Sequence, residues 1–511
     1  MSTKNPHIAV AIPPIEDFYS TPHRISSLGT QIVADLLRNA GFRVTVFNAL
    51  SDPHKKRQIP LPHSLSHLSL FLIKGETGRC SYFTRYQHFG EEISLLARQI
   101  LDSNPALCFI GCFAFCYAGQ TLALAEELKK LSPDLIIIAG GAGTSVNPDY
   151  FLRNASIDYT LSGEAETYIV PFMHLITARS GSPDAVPGLG WKTGGEFRHS
   201  PKSLRTGPES VIPVLSRTGE TAHSVFYTAS VSRGCNSACR FCANHLVHGR
   251  PFRHASPGLF SEYIGKLPAV PPGKTVRINF EDDNLLCDMP FFREIMHICR
   301  ERFPLVRFTA ENGADYRLLN EELCSELIDA GFIQFNFTLG SLSREVLERE
   351  SRIGSTERFT SLLALCASRN IPVISYLICG FPDDIRESVA ESFRFLTSQP
   401  TTIGISLFYP VPGLPGFRDP SLFDSHPPRL CCGSSAYPWN GSLSTETLVT
   451  AFRTARIINC MKMNDATPGE REVIARTTGT GSLHTIVKEK GYRRVVEVPH
   501  QDRELVRMVF R

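Results

Sequence analysis

Apolar runs and helical repeats alternate along the first 180 residues. The pattern predicts strands at 8–12, 44–47, 107–111 and 135–138, with helices at 26–39, 91–101 and 120–131. Each strand is short and almost wholly apolar, which is typical of a parallel sheet covered by helices on both faces. A polar, His-rich stretch at 51–69 is predicted to be a loop. We therefore expect a doubly wound, Rossmann-like sheet whose strand ends bind ligands.

The same alternation resumes after residue 222. Strands are predicted at 225–231, 276–280, 308–309, 332–338, 372–378 and 402–407, and helices near 289–301, 321–330, 343–349, 358–368 and 385–397. Six β/α repeats are enough for a full or partial TIM-like barrel. A Gly-, Pro- and Ser-rich stretch with a small hairpin at 188–195 precedes them, and one clear helix at 444–461 follows them.

We therefore expect an α/β protein with four parts. Residues 1–180 form the Rossmann-like domain, 181–222 a connector, 223–420 the barrel and 421–511 a small C-terminal helical or irregular domain.

Composition narrows the possible functions. The 511 residues carry 53 Lys and Arg against 50 Asp and Glu, a net charge of +3, so charge indicates no nucleic-acid partner. The chain has no signal-peptide pattern and no apolar stretch of about 18 residues, so we expect a cytoplasmic protein without a transmembrane segment. Thiols stay reduced there, so the fifteen cysteines do not predict a disulfide framework.

Three of these cysteines have a spacing typical of a metal centre. The segment VSRGCNSACRFCANH at 231–245 places Cys235, Cys239 and Cys242 on one loop after a predicted strand. Three thiolates can hold three irons of a 4Fe-4S cluster and leave the fourth iron open for another ligand. Two alternatives remain: a zinc site with His245 as the fourth ligand, and three cysteines that merely pack in the loop.

The loop SRGCNSACRFC resembles the signature of the radical S-adenosylmethionine (SAM) enzymes. The resemblance implies that the three cysteines bind the cluster and that SAM chelates the open iron. Reductive cleavage of SAM then gives methionine and a 5'-deoxyadenosyl radical, which abstracts a hydrogen atom. It also implies an electron donor such as flavodoxin or ferredoxin.

Further segments resemble the same family over about residues 225–417. They are RPFRHAS with Arg253 and Ser256, EDDN at 281–284, YLICGFPDD at 376–384, and PVPGLP at 410–415, where Leu414 replaces the usual Thr.

The resemblance also implies residues that contact SAM. Glu281 or Asp282 would hydrogen-bond its ammonium or ribose; a solvated acidic turn is the alternative. Asn336, Thr338 and Ser341 stand where the family binds the SAM carboxylate or ribose, although Gly340 replaces a common acidic residue. Gly380 would let adenine approach the backbone, or it is a plain turn glycine.

Residues 5–180 resemble the cobalamin-binding domain found in one class of these enzymes. The resemblance rests on IIAGG at 137–141, which contains Gly140 and Gly141, on NPD at 147–149 and on IDYTLSGEAET at 157–167. The D-x-H-x-x-G motif that supplies a His ligand is absent, because His23 precedes Gly29 at a different spacing. Cobalamin would then be bound without a protein His, or the domain only shapes the substrate cavity.

Two other groups of cysteines are candidates for an auxiliary cluster. They are Cys108, Cys112 and Cys116, and Cys431, Cys432 and Cys460. The apolar residues around the first group favour buried packing thiols, and adjacent cysteines in the second give poor geometry for one metal.

The resemblance implies a cobalamin-type radical SAM enzyme that methylates an unactivated carbon or a phosphinate phosphorus of a small-molecule or lipid-like substrate. Non-methylating radical chemistry, such as ring formation, carbon-carbon coupling or dehydrogenation, is the first alternative. A non-enzymatic Fe-S or zinc regulatory module is the second. The sequence designates no catalytic residue, and it lacks the serine nucleophile elbow and the P-loop of hydrolases and nucleotide triphosphatases.

Overall fold

The structure is a computed structural model. It describes residues 6–18, 25, 27–72, 80, 85–178, 181–204, 211–439, 441–463, 470, 474, 484–489, 492–497 and 501–510. His23 lies outside the described residues.

The strands in chain order are β1 (His7–Ile12), β2 (Ile15–Asp17), β3 (Arg43–Asn48), β4 (Lys56–Gln58), β5 (Gln87–Phe89), β6 (Leu107–Gly111), β7 (Ile136–Gly140), β8 (Tyr159–Leu161), β9 (Leu189–Thr193), β10 (Glu196–His199), β11 (Val214–Glu220), β12 (Ser224–Ser230), β13 (Ser232–Arg233), β14 (Arg253–His254), β15 (Thr275–Phe280), β16 (Val306–Thr309), β17 (Phe335–Gly340), β18 (Val373–Cys379), β19 (Thr402–Leu407), β20 (His484–Glu489) and β21 (Tyr492–Glu497).

The α-helices are α1 (Leu28–Asn39), α2 (Ile93–Asp102), α3 (Ala118–Leu131), α4 (Ala142–Val146), α5 (Pro148–Leu152), α6 (Ala165–Ala178), α7 (Asn244–His248), α8 (Pro257–Gly265), α9 (Met289–Arg302), α10 (Glu321–Ala330), α11 (Arg344–Arg349), α12 (Thr356–Ser368), α13 (Arg386–Ser398), α14 (Leu422–Ser425), α15 (Thr445–Met463) and α16 (Arg503–Phe510).

The first sheet has the strand order β10-β9-β8-β7-β6-β1-β3, and its five strands from β8 to β3 are parallel. Alternate residues of β1 belong to two apolar cores, one on each face of the sheet. Ile8 and Val10 pack with residues of α1 and α6, whereas Ala9 and Ala11 pack with residues of α2 and α3. The sheet is therefore doubly wound, and its strand order reverses direction next to β1.

The second sheet is a partial barrel. Strands β12, β15 and β16 are parallel neighbours, and β17, β18 and β19 form a second parallel group. A parallel bridge between Phe308 and Phe332 links the two groups. Strand β11 runs antiparallel along β12. Within the described residues β19 pairs only with β18, so six parallel strands form an open arc.

Two stretches differ from the sequence-based expectation. Within the predicted loop at 51–69 lie the short strand β4 and a 3-10 helix, His63–Leu68, whose Leu65 and Leu68 enter the barrel core. Two apolar anchors among polar residues are too few to produce a period. Within the predicted connector, β9 and β10 extend the first sheet and β11 extends the barrel sheet. The division into four domains remains a prediction.

The tail packs against both larger parts. Helix α15 covers β19, and α16 lies against α13. Arg429 donates from Nη2 to Oδ1 of Asp17 at 2.8 Å, and both side chains are buried. No helix among the described residues is both long and apolar enough to cross a membrane.

Candidate active site

A cavity of about 340 Å³ lies between the first sheet and the barrel. One wall is formed by the carboxyl ends of β1, β6 and β7, with Ile12, Gly111 and Gly140. The facing wall is formed by the ends of β12 and β15, with Ser230 and Glu281. Ligand sites form at the carboxyl ends of parallel strands in both kinds of sheet. Here the two sets of strand ends share one cavity.

The cysteine loop rises from a two-stranded ribbon at the barrel side of this cavity. Strand β13 pairs antiparallel with β14, so that Arg233 lies opposite Arg253. The loop between them carries Cys235, Cys239 and Cys242. Gly234 has a φ of +79°, and a Cβ there would lie 2.3 Å from the carbonyl oxygen of Pro251. The close approach of the two ribbon strands therefore requires glycine before the first cysteine.

The acidic segment after β15 holds this loop. Oδ1 of Asp282 accepts hydrogen bonds from the backbone N–H of Val231 at 2.8 Å and from the hydroxyl of Ser232 at 2.6 Å. Asp283 accepts from the N–H of Gly234 at 2.8 Å and from Nδ2 of Asn244 at 2.7 Å. The two carboxylates thus fix the start and the end of the cysteine loop.

The three thiols have different surroundings. Hydrogen bonds from Cys287 and Asn284 lower the pKa of Cys235 to about 5, which favours the thiolate that a metal requires. Cys239 is buried and receives a hydrogen bond from Nη1 of Arg352 at 3.4 Å. Burial raises the pKa of Cys242 to about 11.

Among the described residues, no three His, Cys, Asp or Glu side chains already surround one point as metal ligands do. The donor set itself fits an iron-sulfur cluster, because three thiols share one loop and Arg352 and Asn284 donate to their sulfurs. His245 directs Nδ1 to the carbonyl of Cys242 at 2.9 Å.

Two glutamates of the first domain reach the ribbon below the cysteine loop. Glu164 accepts two hydrogen bonds from Arg253, at 2.8 and 2.6 Å, and a third contact from His248 at 3.1 Å. Glu166 lies 3.7 Å from Arg233. All four carboxylate and guanidinium side chains are at most 9% exposed. We call these two pairs the ribbon clamp.

The predicted SAM contacts fall into two groups. Glu281 and Asp282 line the cavity. Oδ2 of Asp282 is buried without a hydrogen-bond partner, and burial raises the pKa of this carboxyl to about 6. Their role toward SAM remains a prediction.

The other predicted contacts lie on β17 or directly after it, and after β18, outside the described lining of this cavity. Nδ2 of Asn336 donates to the hydroxyl of Tyr376 at 2.6 Å, and Oγ of Ser341 accepts from the N–H of Ser343 at 3.2 Å. Arg352 donates to both Thr338 and Cys239, so Thr338 is connected to the cysteine loop. Their role toward SAM also remains a prediction.

Gly380 adopts a φ of +90°, and a Cβ there would lie 2.9 Å from Leu448 of α15. The close approach found here is to the tail helix. Contact with adenine stays a prediction.

The predicted glycines of the first domain line the cavity. Gly141 has a φ of +98°, and a Cβ there would lie 2.6 Å from the carbonyl oxygen of Cys112. A Cβ on Gly140 would meet nothing closer than 3.7 Å. Gly141 therefore lets its loop approach the loop of Cys112, and Gly140 leaves the end of β7 open to the cavity. This open strand end fits a large flat ligand.

The remaining candidate cysteines do not form one group. Burial raises the pKa of Cys108 and Cys112 to about 12, which keeps these thiols protonated. Cys116 instead packs beside Cys432, at the contact between the first domain and the tail. Cys431 joins the core that contains Cys108 and Cys112, and Cys460 lies on the buried face of α15.

Comparison with known proteins supports this geometry. The model of the Radical SAM superfamily matches residues 229–396, from the end of β12 through most of α13. This chain contains a radical SAM domain. The prediction of an enzyme with a radical SAM domain is confirmed.

A curated relative matches most of the chain. Cytidylyl-2-hydroxyethylphosphonate methyltransferase of Streptomyces wedmorensis is 25% identical over an alignment of 402 residues, which covers 71% of this chain and 70% of the relative.

Two solved structures share the architecture. The radical SAM methyltransferase TsrM of Kitasatospora setae, solved with cobalamin and a [4Fe-4S] cluster, matches with a TM-score of 0.57 and 14% identity over 80% of this chain and 74% of TsrM. The cobalamin-dependent radical SAM enzyme OxsB matches with a TM-score of 0.57 and 15% identity over 79% of this chain and 53% of OxsB. The predicted fold class, a Rossmann-like domain before a radical SAM barrel, is confirmed.

Sequence reasoning missed several functional contacts. It noted Glu164, Glu166 and Arg253 without pairing them, and it did not consider Arg352 or Cys287. The two acids in GEAE, spaced i and i+2 after a strand, were a usable signal. Arg352 belongs to no motif. It follows α11 in a segment that the loop contacts through the N–H of Arg240, which donates to the carbonyl of Glu350 at 3.1 Å.

Proposed function

We propose that this protein is a cobalamin-dependent radical SAM methyltransferase acting on a small molecule. One observation carries the proposal: the strand ends of a cobalamin-type sheet and those of a radical SAM barrel face each other across one cavity. The Streptomyces wedmorensis relative and TsrM are methyltransferases, and TsrM has been solved with tryptophan as substrate.

The residues present fit the cofactors that this function needs. Cys235, Cys239 and Cys242 would hold the cluster, and Gly140 and Gly141 would lie against the corrin. When bound, the cluster and SAM supply a radical that abstracts hydrogen, and cobalamin supplies the methyl group. The acceptor is an unactivated carbon or a phosphinate phosphorus.

The chain itself binds, orients and excludes water. Apolar side chains of α1 and the first sheet line the cavity, among them Leu28, Ile32 and Phe109, and they keep water from a reactive intermediate. On the barrel side, Glu281 and Asp282 offer carboxylate oxygens to an ammonium or hydroxyl group. We assign this role to the SAM amine or ribose.

The ribbon clamp sets the distance between the two cofactor sites. Glu164 follows β8 and Glu166 lies in the first turn of α6, whereas Arg233 and Arg253 flank the cysteine loop. A buried, two-bonded carboxylate and guanidinium fix direction as well as distance. A shift of about 1 Å between reacting groups can cost on the order of 100-fold in rate.

The test uses anaerobically reconstituted protein with SAM, a strong reductant and methylcobalamin, analysed by mass spectrometry. We expect 5'-deoxyadenosine, S-adenosylhomocysteine and cobalamin that stays with the protein through gel filtration. Production of 5'-deoxyadenosine without the other two would favour non-methylating radical chemistry. If protein with a full cluster forms none of these products, the proposal is wrong.

A further inference from the structure

The strands of the barrel sheet have an outer face covered by helices and an inner face toward the open lumen. Neighbouring residues of a strand point to opposite faces. On β15 alternate residues of 276–280 are buried in the core that contains the helices, which places Arg277 on the inner face. On β16 Val306 and Phe308 are buried in the same core, which places Arg307 on the inner face as well.

These two arginines stand side by side. Arg277 and Arg307 are direct neighbours in the register of the parallel strands β15 and β16, and neighbouring strands lie about 4.8 Å apart. Both side chains are exposed. Like charges at neighbouring positions repel each other, and an anion between them would relieve the repulsion. We call these two residues the arginine pair.

The chain orients each guanidinium without neutralising it. Arg277 lies over the ring of Phe226 on β12, with its Cζ 5.8 Å from the ring centroid. Arg307 donates from Nη1 to the carbonyl of Val306 at 2.9 Å. A ring face and a carbonyl leave most of the five N–H donors of a guanidinium available. The pair is therefore ordered before a ligand arrives, which lowers the entropy cost of binding.

Within the described part of the chain, neither guanidinium forms an ion pair with a carboxylate. Glu220, near the same end of the sheet, is already paired with Lys274 and Arg217. Glu281 and Glu311 follow the other ends of β15 and β16, four residues beyond each arginine, which is about 13 Å along an extended strand. These acids are therefore matched elsewhere or too distant to neutralise the arginine pair.

We propose that the arginine pair binds a phosphoryl group of a soluble small molecule, at the opposite end of the barrel from the cysteine loop. Each guanidinium can donate two parallel N–H groups to phosphate oxygens, and the two positive charges match a phosphate dianion. A carboxylate carries one charge and two oxygens, so it would leave one guanidinium unmatched. The inference is independent of the proposed function, because it needs neither the cluster nor cobalamin.

The shape of the barrel favours a soluble ligand over a membrane lipid. The six parallel strands form an open arc, and the arginine pair lies on its inner, concave face. A small phosphate compound can enter from the solvent that already reaches both side chains. A bilayer surface is flat on the scale of one barrel, so its headgroups would meet the rim of the barrel and not the inner face.

The test measures binding of inorganic pyrophosphate and inorganic phosphate to the reconstituted protein by calorimetry, at low and high salt. It compares the wild type with Arg277→Gln combined with Arg307→Gln. The matched control is Arg98→Gln with Arg300→Gln, which removes two exposed arginines from α2 and α9. Circular dichroism and thermal melting show whether each protein is folded. Sedimentation with phosphatidylglycerol vesicles tests a lipid headgroup as the source of the phosphoryl group.

We expect the wild type to bind pyrophosphate more tightly than phosphate, with an affinity that falls as salt rises, and to melt at a higher temperature when pyrophosphate is present. The Arg277/Arg307 glutamine variant should bind pyrophosphate about tenfold more weakly, or weaker still, and should lose this rise in melting temperature. The control variant should match the wild type.

A second variant separates charge from geometry. Arg277→Lys with Arg307→Lys keeps both positive charges but lacks the two parallel N–H groups of each guanidinium. We expect its affinity for pyrophosphate to lie between those of the wild type and the glutamine variant.

Two results would overturn the site: no binding of pyrophosphate to the wild type, or equal binding to the wild type and the glutamine variant. Vesicle binding that only the glutamine variant loses would also overturn the proposal, because it would assign the pair to a lipid headgroup. Failure of the proposed function would look different, since protein that binds pyrophosphate would then form no 5'-deoxyadenosine from SAM.

Discussion

The two sides of the cysteine loop differ in how their arginines are stabilised. Toward the first domain, Arg233 and Arg253 are buried and each meets a glutamate. Toward solvent, Arg240 and Arg358 are exposed. A buried charge without a partner is costly, so the inner side must be matched within the chain. An exposed charge is stabilised by water, so the arginines of the outer side need no carboxylate from the chain.

The largest effect should come from removing a cysteine ligand of the cluster, which lies between the two sides. Cys239→Ala deletes a thiol that the cluster requires and leaves Arg352 donating to no sulfur there. We expect loss of the cluster and no detectable 5'-deoxyadenosine. Iron and sulfide analysis with product mass spectrometry checks this, and turnover that survives the change would refute the assigned ligand set.

The second prediction contrasts the two sides by stability. Glu164→Ala leaves Arg253 buried without its carboxylate, and we expect a loss of about 3 to 5 kcal/mol in the free energy of unfolding. Arg240→Ala on the outer side should change it by less than about 0.5 kcal/mol. Urea unfolding of both variants measures the difference, and similar losses would abolish the distinction between the sides.

A third prediction concerns Asp282, the buried acid of the inner side whose Oδ2 has no hydrogen-bond partner. Burial raises the pKa of Asp282 to about 6, above the unfolded value of about 3.9. Its contribution to stability is therefore present at low pH and is lost as pH rises from about 4 to about 6. In Asp282→Asn this decline should disappear, while Oδ1 still accepts from Val231 and Ser232. Unfolding curves of both proteins between pH 4 and pH 8 provide the comparison.

The smallest effect should be the loss of stability that the ribbon clamp shows at low pH. Burial opposes ionisation of Glu164, but hydrogen bonds from His248 and Arg253 hold its pKa below the usual value. Its stabilisation is thus complete above the unfolded pKa of about 4.3 and is lost as pH falls below it. Glu164→Gln should flatten this part of the stability curve. An unchanged slope below pH 4.3 would show that the pair contributes nothing through its charge.

Local patterns in the sequence were enough for much of this protein. The apolar alternation of β1 predicts a sheet with two covered faces, because neighbouring side chains of a strand point to opposite sides. The cysteine spacing predicts a metal loop, because thiols on one turn can reach one cluster. These features depend on residues close in the chain, and the radical SAM resemblance of residues 225–417 rests on the same kind of signal.

Only the tertiary structure decided which distant residues meet. Glu164 and Arg253 are 89 residues apart, and Arg352 is 113 residues from Cys239. Strands β9 and β10 looked like a connector because β10 is the edge strand and buries none of its four residues, and β9 buries only its first two. Pairing across such distances depends on how two folded domains dock, and no local period encodes that docking. The sequence determined the loop that can hold a cluster, and the docking of the domains determined which side of it is enclosed and which is exposed to solvent.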